Sequence, residues 1–454
     1  MFAGFTDALA SNGLNTRKET MKKIVASVGL FAVGASGVQA ASTAALTADP
    51  AKPWSVSATL RGFYDDNVGT APKGNPATEA FGFEVRPGFN LNWGLEQTTF
   101  SLGYLYSFRY YDHKPPGNSE KYDQSHIFNA LVTHAFTERY LLNVTDSFVI
   151  GQEPDLLRAT ETLTSYQRIP GNNIRNYGTI KFSSQHTPIF GSELGYDNSF
   201  YNYADEGAHL DDGGNFSFPS NAGLLDRIEH YIHIDARWQI LPSTVGVLGY
   251  RYSETDYTAN EEIGQEIIDG NLITYKSDSR NARSHYAYVG VDHMFRPDLS
   301  VTIRGGARYN DYYNQPDHRN EVTPSVQASL SYTYAPESSL SLGLTHDMNA
   351  TDIFSAQGGN LTTDAETTTV FGSLNHRILP HLYGNLTGQF QSSTLNGGTF
   401  NNDNELYYLV GLNLEYRFNL HLSTHIGYNY DKLDSDVGRS FDRNRVYVGV
   451  TATY

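Results

Sequence analysis

The 454-residue chain has no cysteine, which excludes a disulfide scaffold and thiolate metal sites. It also lacks any run of about 20 apolar residues, the minimum for a spanning helix, and its mean hydropathy is -0.44. Charge is sparse, 18% of residues against roughly 25% in ordinary soluble domains. Acids outnumber bases 49 to 32, and no basic patch stands against that excess, so nucleic acid is an unsuitable partner. What is abundant is Tyr (32), Phe (24) and Gly (41). Two classes fit: a secreted all-β protein, or a transmembrane β-barrel whose lipid face is hidden in alternation.

Met21-Lys22-Lys23, the apolar stretch Ile24 to Val33 and the small residues Val38 and Ala40 read as a secretory signal peptide over residues 21–40, cut after Ala40. Residues 1–20 have no such logic and read as a mis-assigned upstream extension, with translation starting at Met21. Residues 41–52 then form a short periplasmic segment, and the barrel takes 53–454. Residues 1–40 hold four Lys/Arg and two acids, so the mature charge moves from -17 to -19.

From Pro53 onward the sequence alternates with period two, as a strand does when one face meets an apolar medium. Phe81, Phe83, Val85, Pro87, Phe89, Leu91 and Trp93 share one face, against Gly82, Glu84, Arg86, Gly88, Asn90 and Asn92. Leu299, Val301, Ile303, Gly305, Ala307 and Tyr309 oppose Ser300, Thr302, Arg304, Gly306, Arg308 and Asn310 in the same way. Such runs last about 10 to 14 residues, twice the usual soluble strand of about 5 to 6 and enough to cross a bilayer at a tilt. Eighteen of them start near residues 54, 80, 98, 124, 140, 173, 190, 227, 245, 284, 299, 322, 338, 367, 382, 405, 420 and 443, sixteen being the other count the pattern allows.

The connections alternate between short ones, such as Gly94 to Gln97 and Arg296 to Asp298, and long ones, such as Glu153 to Asn172, Asp205 to Asp226 and Thr258 to Ala282. Short periplasmic turns and long extracellular loops are the habit of bacterial outer-membrane barrels. Beside the short turns, on the apolar face, stand Trp93, Phe100, Phe136, Tyr140, Phe190, Trp238, Phe295, Tyr334, Phe418 and Tyr454. Such rings suit the headgroup region, so they are expected to form a periplasmic aromatic girdle. A soluble sandwich or propeller also alternates, but with shorter strands and no aromatics tied to short turns. Asp146 is the misfit: it shares a face with Leu142, Val144, Phe148 and Ile150, and either a bulge or a place near the headgroups would account for it.

The first hairpin carries Leu60-Arg61-Gly62-Phe63-Tyr64-Asp65-Asp66-Asn67-Val68, then Arg86-Pro87-Gly88-Phe89, then the Tyr-rich strand Tyr104 to Tyr111. That order resembles a family of outer-membrane β-barrel porins, the second to bear the name putative beta-barrel porin, most closely over residues 54–112. The resemblance implies a Gram-negative outer-membrane barrel, with some relatives associated with exopolysaccharide export, and brings no catalytic residues. The alternating last strand, ending in aromatic Tyr454, looks like the signal that outer-membrane assembly machinery recognises.

Face assignment gives candidate pore-lining charges: Arg61, Glu84, Arg86, Arg109, Arg175, Lys181, Glu193, Glu229, Asp235, Arg237, Arg304, Arg308, Asp347, Arg377, Glu415 and Arg417, with Asp197, Asp292 and Asp431 on the same side. Opposed charges in a wet interior orient polar solutes, although each single residue is better explained as solvation of the lumen, and only the group points to a wet interior. Eighteen strands leave room for an aqueous channel unless loops fold inward, and Glu153 to Asn172 and Thr258 to Ala282 are the segments to narrow it. No enzyme signature, metal site or cofactor motif stands out. His230 and His233 point to opposite faces, and His421 and His425 lie about 13 Å apart along a strand. The expected function is a passive porin-like channel for small hydrophilic solutes; the alternatives are an exopolysaccharide conduit and a non-conducting structural or adhesion barrel. Expected partners are outer-membrane lipid and lipopolysaccharide. Homo-oligomers are common among porins, but the sequence marks no patch to carry one.

Overall fold

The computed structural model describes residues 52–115, 120–152, 168–211, 215–315 and 319–454, so the expected signal peptide and upstream extension lie outside it. Eighteen long strands carry the fold. They are β1 (Trp54–Asp65), β2 (Ala80–Gly94), β3 (Thr98–Tyr111), β4 (Tyr122–Thr137), β5 (Tyr140–Gly151), β6 (Asn173–Gln185), β7 (Phe190–Tyr203), β8 (Arg227–Leu241) and β9 (Thr244–Tyr257). The second half has β10 (Ala282–Arg296), β11 (Leu299–Asp311), β12 (Asn320–Ala335), β13 (Ser338–Ala350), β14 (Asp364–Leu379), β15 (Leu382–Asn396), β16 (Asn404–Arg417), β17 (Leu422–Ser435) and β18 (Phe441–Thr453). Each pairs antiparallel with the next, and β1 pairs with β18 from Ser57↔Thr453 to Asp65↔Arg445, closing the barrel.

All eighteen begin within three residues of the expected positions. The early starts of two or three residues, such as Asp364 rather than 367, fall at the long-loop end, where both faces are polar and alternation gives no signal. Leu422 starts late because Phe418 N donates to the Leu422 carbonyl in a turn. Four short turns place proline directly after the last paired residue: Pro242, Pro297, Pro336 and Pro380. Proline presets φ for the first turn position, and the register shift beside each turn absorbs the extra residue as a bulge.

The outer face is apolar and exposed along every strand, whereas buried polar residues cluster on the inner face. Asp146 points outward without a bulge, since β5 keeps continuous register with both neighbours on either side of it, the shift between Ala135 and Thr137 falling at the short turn. Outward histidines recur at two levels, each joined to a hydroxyl on the adjacent strand or, for His376, on the strand beyond it. At the long-loop level these are His126 with Tyr104 (3.0 Å), His230 with Tyr196 (2.8 Å) and His285 with Tyr250 (2.6 Å). At the short-turn level they are His134 with Thr98, His293 with Thr244 and His376 with Tyr334, all at 2.8 Å. Between His126 and His134 the outward residues are Phe128, Ala130 and Val132, a wholly apolar interval. Eight residues at about 3.4 Å each, tilted by about 40°, span roughly 20 Å of membrane thickness, near the height of an outer-membrane hydrocarbon band.

Candidate functional site: the barrel interior and its external mouth

Register brings the inward charges together. Glu84 lies directly opposite Arg61 on β1 and Arg109 on β3. Its carboxylate is 3.3 Å from each guanidinium and 3.9 Å from Arg86, and it accepts the Ser107 hydroxyl at 2.6 Å. One buried carboxylate therefore stands among three guanidiniums. Arg61 also lies over the Tyr447 ring at 4.1 Å, a cation–π contact that fixes its direction.

The opposite wall is more evenly matched. Asp292 takes Arg237 and Arg304, both at 2.7 Å. Arg308 reaches Asp347 at 2.7 Å, and Asp235 accepts the Tyr288 hydroxyl. His233 lies 3.6 Å from Glu193 and 3.7 Å from Asp197, and Lys181 stands on the same inner face. Glu229 is bound by Arg227 at 2.7 Å, and Arg175 is buried. Nearer the short turns Glu415 pairs with Arg417 at 3.1 Å, Arg417 lying over Tyr383, and Arg377 pairs with Glu337 at the rim. All sixteen expected interior charges thus lie on the inner side. Of the ten expected girdle aromatics, all are exposed or half-exposed on the outer side, with Phe190 and Trp238 in ring contact at 5.2 Å.

The external half is filled by loops. A short helix, α1 (Asn221–Leu225), is capped by Ser220, whose Oγ accepts Gly223 N at 2.9 Å. Its Ala222, Leu224 and Leu225 pack against Ile263 and Tyr275 of the hairpin 262–276, Leu361 of the loop after β13, and the inward Tyr201 and Tyr203. Of the two candidate segments, Thr258 to Ala282 packs into this cluster through Ile263 and Tyr275 while Ile267 and Leu272 at its tip stay exposed; of Glu153 to Asn172 only 168–172 are described, and Ile169 joins the same cluster. The inward turn of 221–225 and 353–361 was not expected.

Buried charges tie these loops down. Arg280, fully buried, donates to the carbonyls of Leu224 (3.0 Å) and Thr351 and lies over Tyr257, and burial lowers its pKa. Arg168 donates through its backbone N to Asp352 and through its guanidinium to Gln391, 4.1 Å above the Tyr407 ring. Arg439 links Asp352 (2.9 Å) to Glu405 (2.7 Å). At the outer edge Glu266 accepts the backbone N–H groups of Gly359 and Gly358, which hold its carboxyl below the usual range. Burial, with Glu261 and Glu206 nearby, instead pushes Asp226 up to about 7, although Tyr203 N and Asn202 donate to it. Sequence reasoning missed Arg168, Arg280, Asp352 and Arg439 because irregular loops carry no face signal. Arg251 was readable, since it alternates with outward Tyr250.

Beneath the loops a cavity of about 70 Å³ opens on the β8–β14 wall, lined by Arg227, Glu229, Tyr231, Arg280, Arg308 and Tyr312 among others. No cluster of three or more His, Asp or Glu that could hold a metal ion occurs among the described residues.

Residues 355–454 match the model of a family described as Putative beta-barrel porin 2, at the opposite end of the chain from the motifs at 54–112. No curated protein matches the chain. Solved structures it is similar to include Acinetobacter baumannii OccAB4, at 12% identity and TM-score 0.41 over 90% of this chain and 100% of that one. The outer membrane protein opdK of Pseudomonas aeruginosa matches at 11% identity and TM-score 0.40 (88% and 99% covered), and OccK9 (OpdG) of the same organism at 12% and 0.44 (88% and 98%).

Proposed function

We propose that this chain, whose residues 355–454 match the family described as Putative beta-barrel porin 2, works as a passive outer-membrane channel for small hydrophilic solutes. The observation that carries the reading is the closed eighteen-stranded wall with an apolar outside and a charged inside. A β-barrel turns its apolar face outward along every strand where lipid lies outside and water or polar side chains lie inside. The sixteen inward charges are then the wall that a solute meets, and the ten outward aromatics sit at the periplasmic headgroups. Lipopolysaccharide meets the long-loop end, and the assembly machinery meets β18.

Loops locked across the mouth suit a small solute better than a polymer, which disfavours exopolysaccharide export. No chemistry is assigned to the interior beyond binding and orientation. Purified protein in planar bilayers is expected to give ohmic, stepwise ion conductance. Folded protein that conducts nothing would overturn the reading and leave the structural or adhesion barrel.

A further inference from the structure

The outward Asp146 stands directly opposite Ala130, and Ala130 lies midway between His126 and His134. The carboxylate is therefore at the centre of the apolar band, not near either headgroup level. Among described residues, the other outward acids on the barrel, such as Glu254 and Glu366, lie toward the long-loop ends of their strands.

Asp146 does not stand alone. Asn176 Nδ2 donates to its Oδ1 at 3.0 Å. Across β6 its partner is Gly178, and beyond Gly178 come Asn198 and then His230, each directly opposite the last. Gly178 N donates to Asn198 Oδ1 at 3.2 Å. A Cβ at Gly178 would stand 2.6 Å from that oxygen and 3.5 Å from the Asp146 carboxylate, so the glycine is what lets the two polar side chains lie close over the strand. The result is a slanting polar row on β5–β8, climbing from mid-membrane to the external histidine level.

We infer that this row is the contact face for a second copy of the same chain. Acyl chains supply no hydrogen bonds, so an ionisable group facing them is costly unless protein covers it. At the depth of Asp146 the row offers both an acceptor, its carboxylate, and an amide donor, Asn176, with the Asn198 amide next along it. A surface that holds both halves of a hydrogen bond is complementary to itself, as a symmetric homo-oligomer requires. Ala130 and Gly178 keep the strip low, allowing another barrel wall to approach. The inference rests on the membrane reading of the barrel and is independent of whether the interior conducts.

The test is the mass of full-length protein extracted with its own lipids into polymer-bounded nanodiscs. Wild type is expected to contain more than one copy of this chain and nothing else in stoichiometric amount. Asp146→Leu and Asn198→Leu are expected to shift the population to single barrels by about tenfold or more, the worth of one charge-assisted hydrogen bond in a dry contact. Both variants should keep the heat-dependent gel mobility of a folded barrel and the wild-type conductance, which separates this result from failure to fold and from failure of the channel reading. Single-copy wild type, an oligomer indifferent to both variants, or a different protein held in fixed ratio would each overturn it.

Discussion

The Asp352 carboxylate lies 2.9 Å from the Arg439 guanidinium and also accepts the backbone N–H of Arg168, so one buried acid joins three separate loops at the mouth of the barrel. Removing one partner of a buried pair leaves the other uncompensated, at a cost of about 3 kcal/mol. Asp352→Ala is therefore expected to loosen the loops without opening the barrel itself. Single-channel recordings should show larger or more fluctuating currents, and a trace identical to wild type would mean that the loops do not limit the path.

Glu84 lies within 3.3 Å of both Arg61 and Arg109 and 3.9 Å from Arg86. Glu84→Gln retains the shape and adds one positive charge to the wall. In a salt gradient the reversal potential should move toward the anion's by several-fold in permeability ratio, and Arg86→Gln should move it the opposite way. The Gln variant is also expected to be less stable to denaturant, because three guanidiniums lose their shared counter-charge.

Phe190 and Trp238 face each other across β7 and β8 with ring centroids 5.2 Å apart. A double-mutant cycle to alanine, read from reversible unfolding in lipid vesicles, should give a coupling of about 0.5–1.5 kcal/mol. A coupling near zero would mean that the two rings meet lipid separately.

Asp226 is an acid whose folded-state pKa is pushed up to about 7 by burial at the foot of α1. Both states bind its proton below pH 4, and above pH 7 neither does, so between these values the unfolded loop releases a proton that the packed loop retains. Docking of the loop is thus strongest on the acid side and weakens as pH rises toward 7. Protease susceptibility of the 205–226 segment should increase across that range, and Asp226→Asn should flatten the dependence.

The barrel was legible because a bilayer imposes period two on every crossing, so strands as different as Phe81 to Trp93 and Leu299 to Tyr309 announce themselves alike. Charge partners were legible only as faces. That Glu84 meets Arg61 and Arg109 follows from register, which turn geometry sets and alternation alone does not. The inward-packed loops were hidden for another reason: Leu224, Leu225, Ile263 and Leu361 lie in elements too short to show a period. Their one trace is apolar residues in loops that lipid never reaches. Asp146 was visible as a misfit, and only continuous pairing on both sides of β5 ruled out the bulge.

The pairing of β1 with β18 sets a condition on how the molecule comes into being. Until those two strands meet, each presents a full row of backbone N–H and C=O groups with no partner, and hydrocarbon offers none. Seventeen strands are not a nearly finished barrel but an open ribbon with two intolerable margins. Insertion and closure must therefore be one concerted event, or both margins must be lent a temporary β-partner until they find each other.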